Sequence, residues 1–204
     1  MILVDKAERP VASLLLAHGA GAGMHSDFMQ QMAQRLCQLG IDVYRFNFPY
    51  MQQAEQEGKK RPPNPMPVLQ DSLRDALDSV PATLPRFIGG KSMGGRVASM
   101  LVDELAVSGC LCLGYPFHPP GKPDKLRIAH LQKPGKAVVI LQGQRDTFGR
   151  EAEVADYSLH PRVSVQFVMD GDHSFVPRKA SGLTLNDNIQ FACEKMADFI
   201  GAHI

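Results

Sequence analysis

Phe87-Ile88-Gly89-Gly90-Lys91-Ser92-Met93-Gly94-Gly95-Arg96 runs from an apolar stretch into a helix-forming one across a Gly-x-Ser-x-Gly motif centred on Ser92. A strand that turns sharply into a helix at a serine leaves the hydroxyl exposed at the turn. Gly90 and Gly94 suit the two flanks, because neighbouring backbone passes close to both positions, where a β-carbon would collide. At average glycine usage of ~7%, roughly one serine in 200 carries such flanks by chance. The rest of the chain therefore has to decide what the motif means.

Outward from this motif the sequence alternates. Ala12 to His18 is an apolar run that ends in glycines, and Asp27 to Leu39 carries Phe28, Met32, Leu36 and Leu39 at helical spacing before Gly40 stops it. Ile41 to Phe48, Phe87 to Gly90, Gly109 to Gly114, Lys136 to Gln142 and Val163 to Met169 read as further strands. Helical spacing covers Val68 to Val80, Met93 to Ala106, Glu151 to Leu159 and Leu185 to Ile204. Such alternation specifies an α/β protein with a mostly parallel sheet of about six to seven strands and helices on both faces. The proline-rich segments Pro49 to Pro67 and Pro116 to Pro134 are expected to be loops over the sheet's C-terminal edge, where such folds bind ligands. Residues 1–204 are expected to form one domain with no large cap.

Composition narrows the function classes. With 22 Lys and Arg against 21 Asp and Glu, the formal net charge of +1 offers no field for nucleic acid or an anionic membrane, so neither is an expected partner. The trio Lys59-Lys60-Arg61 reads as a solvated loop. Cys37, Cys110, Cys112 and Cys193 lack metal-ligand spacing, which points to reduced thiols and no metal. Met1 to Lys6 lacks the apolar region of a signal peptide, and no run is long enough to span a bilayer. A cytoplasmic location is the expectation.

If Ser92 is a nucleophile, it needs a base, and the base needs an acid to orient it. In this topology both should follow later strands, in the order Ser, Asp or Glu, His. Asp146 follows the strand Ala137 to Leu141, and His173 follows Val163 to Met169. The expected roles are Ser92 as nucleophile, His173 as general base and acid, and Asp146 as its orienting carboxylate. Asp170 and Asp172 are rival acids, ranked lower because a turn aspartate usually serves its own backbone. His118, His130, His160 and His203 lie at positions unsuited to the base. For the oxyanion, Met93 offers a free N–H at a helix start, and the turn His18-Gly19-Ala20-Gly21-Ala22-Gly23 offers a second donor, Ala20, with Gly21 the alternative. His18 is expected to brace that loop.

Two nucleotide motifs share these glycines. A P-loop ending at Gly90-Lys91-Ser92 requires a glycine where the chain has Pro85. The Gly19, Gly21, Gly23 spacing is one residue short of a dinucleotide fingerprint, and the next strand ends at Asn47-Phe48 without the ribose-binding acid.

The His-Gly turn, Gly90-Lys91-Ser92-Met93-Gly94-Gly95, the Asp after the penultimate strand and Gly171-Asp172-His173 after the last resemble the α/β-hydrolase superfamily over nearly the whole chain. Small size without a cap is similar to dienelactone hydrolase-like proteins, although those resemble a Cys-His-Asp design and this chain has Ser92. More narrowly, Arg61-Pro62-Pro63, the Ser92 motif through Arg96, and Gly114-Tyr115-Pro116-Phe117-His118-Pro119-Pro120-Gly121-Lys122-Pro123 resemble a little-characterised branch. That branch holds bacterial predicted hydrolases, a testis-expressed protein and a hydrolase-like domain of a chromatin-associated complex. The resemblance implies the α/β-hydrolase fold and a serine hydrolase of carboxylesterase or thioesterase type, cleaving a small acyl substrate without metal or organic cofactor. The alternative is a non-catalytic hydrolase fold used as a binding or scaffold module. Apolar residues expected to line the acyl pocket from the proline-rich loops are Tyr50, Tyr115 and Phe117, with Met51 and Met66.

Overall fold

In the computed structural model, which describes residues 1–204, the six expected strands pair into one sheet. They are β2 (Ala12–Ala17), β3 (Ile41–Phe46), β4 (Arg86–Lys91), β5 (Gly109–Leu113), β6 (Ala137–Gly143) and β7 (Val163–Val168). A seventh, β1 (Ile2–Asp5), pairs antiparallel with β3 at the edge. It went unread in the sequence because four residues are too few to display a period. The order is β1-β3-β2-β4-β5-β6-β7, parallel from β3 to β7.

Side-chain alternation on the central strands divides the core. Leu15 and Ala17 of β2 face a cluster with Leu69, Leu73 and Leu77 of α3 (Met66–Asp78) and Val97, Ala98 and Leu101 of α4 (Met93–Leu101). Leu14 and Leu16 face the opposite cluster, with Met29, Met32 and Leu36 of α1 (Asp27–Gln38) and Ile189, Cys193 and Met196 of α6 (Leu185–Gly201). Burying each such aliphatic side chain stabilises the fold by roughly 1.5–3 kcal/mol before entropy is counted. All four cysteines are free thiols, and no helix is long and apolar enough to cross a membrane.

Three expectations change. Pro49 to Pro67 is not a plain loop: Pro49–Glu57 forms α2, with Pro49 at its first position, where a missing N–H costs nothing. The helix after Ser92 stops at Leu101, short of Ala106, and the helical stretch from Glu151 to Leu159 contributes a single turn, α5 (Glu151–Val154).

Connections from β2 run through α1 to β3 on one side, while β4 lies on the other side of β2. This reversal opens a crevice at the carboxyl ends of β2 and β4, the place where open α/β sheets bind ligands.

Candidate active site

Ser92 stands between β4 and α4 with φ 51° and ψ −113°, a conformation that L-residues rarely adopt. Its own N–H donates to Leu113 O on β5 at 2.8 Å, which ties the turn to the neighbouring strand. A β-carbon on Gly90 would lie 2.5 Å from Ala17 O, and one on Gly94 would lie 2.6 Å from both Ala17 O and His18 O. Both glycines are required because β2 crosses directly against the turn.

His173 lies in the loop after β7, and Asp146 in the loop after β6. Asp146 is fully buried, and its Oδ2 accepts from His173 Nδ1 at 2.8 Å. An ionised carboxylate only accepts, so Nδ1 carries the ring proton and Nε2 is the acceptor facing Ser92 Oγ at 2.9 Å. Ser92, His173 and Asp146 thus form one continuous hydrogen-bonded line from three loops at one sheet edge.

The rival carboxylates serve other partners. Asp172 Oδ1 accepts from the N–H groups of Ser174 and Val176, closing its own turn. Asp170 accepts from the N–H and Nε of Arg178. His130 Nε2 lies against Ser99 Oγ at 2.9 Å, away from the crevice, and no cluster of three or more metal-ligating side chains forms.

Several positioning groups escaped the sequence reading. Gln142 Nε2 donates to Asp146 Oδ2 at 3.0 Å and to Gly149 O at 3.1 Å, while its Oε1 accepts from Tyr115 N at 2.7 Å, so one amide holds the acid loop to β5. Lys91 Nζ donates to His173 O from beneath the histidine loop. Burial lowers the Lys91 pKa to about 8, with the charges of Asp146 and Asp172 acting in the opposite direction. Asn188 of α6 donates to Met169 O and Phe175 O. None of these has a sequence signature, since each is recognised only by what the fold brings to it.

A cavity of about 380 Å³ opens over Ser92 and His173. Its walls are Gly19 to Ala22, Ser26, Phe28 and Met29 at the start of α1, Lys91, Phe148 and Ser174. The Phe148 ring lies 4.3 Å from the His173 ring, centroid to centroid, tilted by 33°. The expected wall residues Tyr50, Tyr115 and Phe117 are buried and absent from it. Tyr115 and Phe117 form an edge-to-face pair in the core with centroids 4.9 Å apart, and Phe117 packs so closely on Gly149 that a β-carbon there would lie 2.6 Å from its ring. Met51 and Met66 are likewise outside the cavity, and no residue of Pro49 to Pro67 enters it. The apolar wall comes from the start of α1, which leaves β2 at the crevice, and from Phe148, which reaches in from the β6–α5 connection over His173.

Met93 is the first residue of α4, so its N–H has no partner within the helix. The Gly19 loop reaches the same place: a β-carbon on Gly19 would lie 3.6 Å from Ser92 Cβ. His18 is fully buried beneath this loop, where its Nε2 accepts from Phe48 N at 3.0 Å and its Nδ1 therefore donates to Gly19 O at 2.6 Å. Burial lowers its pKa, which suits a neutral ring holding a loop.

This architecture is that of an α/β hydrolase. The model of the alpha/beta hydrolase domain matches residues 10–201, and the chain belongs to that family. Among solved structures, an alpha-beta serine hydrolase homologue from Coxiella burnetii superposes with a TM-score of 0.76 at 15% identity, covering 96% of this chain and 90% of that one. A lidless serine hydrolase from Xanthomonas campestris gives 0.72 at 21% identity, with 96% and 88% covered. A dienelactone hydrolase from Anabaena variabilis gives 0.69 at 20% identity, with 95% and 88% covered. These likenesses are of fold.

Proposed function

We propose that the protein is a serine hydrolase of carboxylesterase or thioesterase type that acts on a small acyl substrate. The observation that carries this reading is the line from Ser92 Oγ through His173 to buried Asp146, open to a cavity at the nucleophile. Ser92 Oγ attacks the acyl carbon while His173 Nε2 takes its proton, giving a tetrahedral oxyanion. The Met93 and Ala20 amides receive that negative charge. Collapse expels the alcohol or thiol, protonated by His173, and leaves an acyl-Ser92 ester. Water deprotonated by His173 then attacks the ester, and the second collapse returns the proton to Ser92. Each step closes on the enzyme's own groups, so the cycle needs no cofactor.

The esterase domain of a Rhodothermus marinus protein and an esterase from Pyrococcus furiosus share this fold and support ester chemistry in folds of this kind. The narrower resemblance to the testis-expressed and chromatin-complex branch rests on Arg61-Pro62-Pro63, the Ser92 motif through Arg96 and the Gly114 to Pro123 stretch.

A fluorophosphonate tests the reading. Wild type is expected to label stoichiometrically and to turn over p-nitrophenyl acetate, while Ser92→Ala and His173→Ala lose both activities. A folded wild type that neither labels nor turns over would leave the chain as a binding module.

A further inference from the structure

The Gly19 loop must present its N–H groups to the crevice, yet glycine- and alanine-rich backbone has little conformational preference of its own. What orients it is a side chain from α2. The Tyr50 hydroxyl lies 3.0 Å from Ala20 O and 3.2 Å from Gly19 O, and His18 Nδ1 holds Gly19 O as well. No peptide bond in the chain is cis, so each carbonyl is antiparallel to the N–H of the same peptide plane. Drawing Gly19 O and Ala20 O toward Tyr50 therefore turns the Ala20 and Gly21 N–H groups the opposite way. Tyr50 and His18 lie outside the cavity while Gly19 to Ala22 line it, so the opposite way is into the cavity. Neither N–H has a partner within the protein.

Tyr50 is itself held. Its backbone N–H, which has no partner within the first turn of α2, donates to Asn64 Oδ1 at 2.8 Å. Asn64 follows Arg61-Pro62-Pro63, a stretch without a contact to the cavity.

We propose that Tyr50 is a positioning residue that sets the oxyanion-binding amides of the Gly19 loop, and that Asn64 fixes Tyr50 for this task. The inference rests on the serine hydrolase reading. Burial raises the Tyr50 pKa to about 12, so the hydroxyl remains a donor at any working pH. Because the hydroxyl never touches substrate, its loss acts on the tetrahedral intermediates and not on the bound ester.

The test is Tyr50→Phe assayed with p-nitrophenyl acetate, beside the affinity of a small alkyl boronic acid that adds to Ser92 as a tetrahedral anion. Loosening the loop is expected to lower kcat roughly 10- to 100-fold, less than the 10²–10³ for outright loss of one donor, with KM unchanged. Boronic acid affinity should fall in parallel with kcat/KM. Asn64→Ala should give the same pattern in weaker form, and it carries the test if Tyr50→Phe does not fold. A rise in KM at unchanged kcat would make Tyr50 a substrate-binding residue and overturn the proposal. So would unchanged kinetics, or a lower thermal midpoint with unchanged boronic acid affinity; in these cases Ser92→Ala still abolishes turnover and the hydrolase reading stands. Wild type without Ser92-dependent turnover would overturn both.

Discussion

At the residue scale, the site depends on two kinds of constraint, one steric and one electrostatic. Gly94 shows the first. Its absent β-carbon would meet two backbone oxygens of the β2 end at 2.6 Å, and strand backbone cannot swing aside as a side chain can. Gly94→Ala is expected to destabilise by about 1–3 kcal/mol or more and to displace Ser92, with activity lost even where the protein folds. Gly21 has open space around it, so Gly21→Ala should fall within about 0.5 kcal/mol of wild type. Urea unfolding of the two variants reads the contrast directly. Lys91 shows the second constraint. Its pKa of about 8 in the fold lies below the ordinary 10.5, so between those values the unfolded chain binds a proton that the folded one has released. Stability therefore rises with pH across this window, and the cost of burying the ammonium is paid in full only below it. Wild type is expected to gain up to roughly 3 kcal/mol on Lys91→Met between the two ends, at about 1.4 kcal/mol per pH unit. Parallel pH series of unfolding midpoints check this; parallel curves for the two proteins would refute it.

At the element scale, α6 carries the histidine loop as much as β7 does. Thr184 and Asp187 form a capping box that starts α6, and one turn on Asn188 donates to the carbonyls of Met169 and Phe175 on either side of His173. Phe175 has φ 68°, a conformation that needs such support. Asn188→Ala leaves those carbonyls without their donor. It is expected to cost about 1–3 kcal/mol, to speed amide exchange across residues 169–176, and to lower kcat. Exchange unchanged in that segment would separate α6 from the site. The same elements explain what could be read beforehand. Six strands and the places of Ser92, Asp146 and His173 were legible because buried parallel strands are apolar runs with glycine, aspartate or histidine at their ends. What escaped was set by contacts between elements. Gln142, Lys91 and Asn188 look like ordinary polar residues until β5, the histidine loop and the β7 end are brought against them. Tyr50 and Phe117 looked like pocket aromatics because a tyrosine or phenylalanine in a proline-rich stretch gives no sign of which way it will face. In fact α2 turns Tyr50 under the Gly19 loop, and Gly149 leaves room for Phe117 in the core.

At the scale of the whole molecule, strand order decides where the cavity lies, and the absence of a cap decides what fills it. The crevice between the ends of β2 and β4 is walled by whatever leaves those strands: the Gly19 loop, the first turn of α1, and the Ser92 turn. Phe148, reaching in from the β6 side, closes it over His173. The resulting 380 Å³ lies near the lower end of the ~300–1,000 Å³ usual for small-molecule sites. Phe28, Met29 and Phe148 give it an apolar lining with one buried cation, Lys91, at its base. A long acyl chain would have to leave this space and lie on open surface, gaining little from burial. Across p-nitrophenyl acetate, butyrate, octanoate and dodecanoate, kcat/KM is expected to peak at the short esters and to fall toward the long ones. Phe28→Ala removes one wall without touching the Ser92–His173–Asp146 line, so it should move that peak to longer chains while fluorophosphonate labelling of Ser92 persists. A wild-type profile that climbs to dodecanoate would place the acyl group outside this cavity.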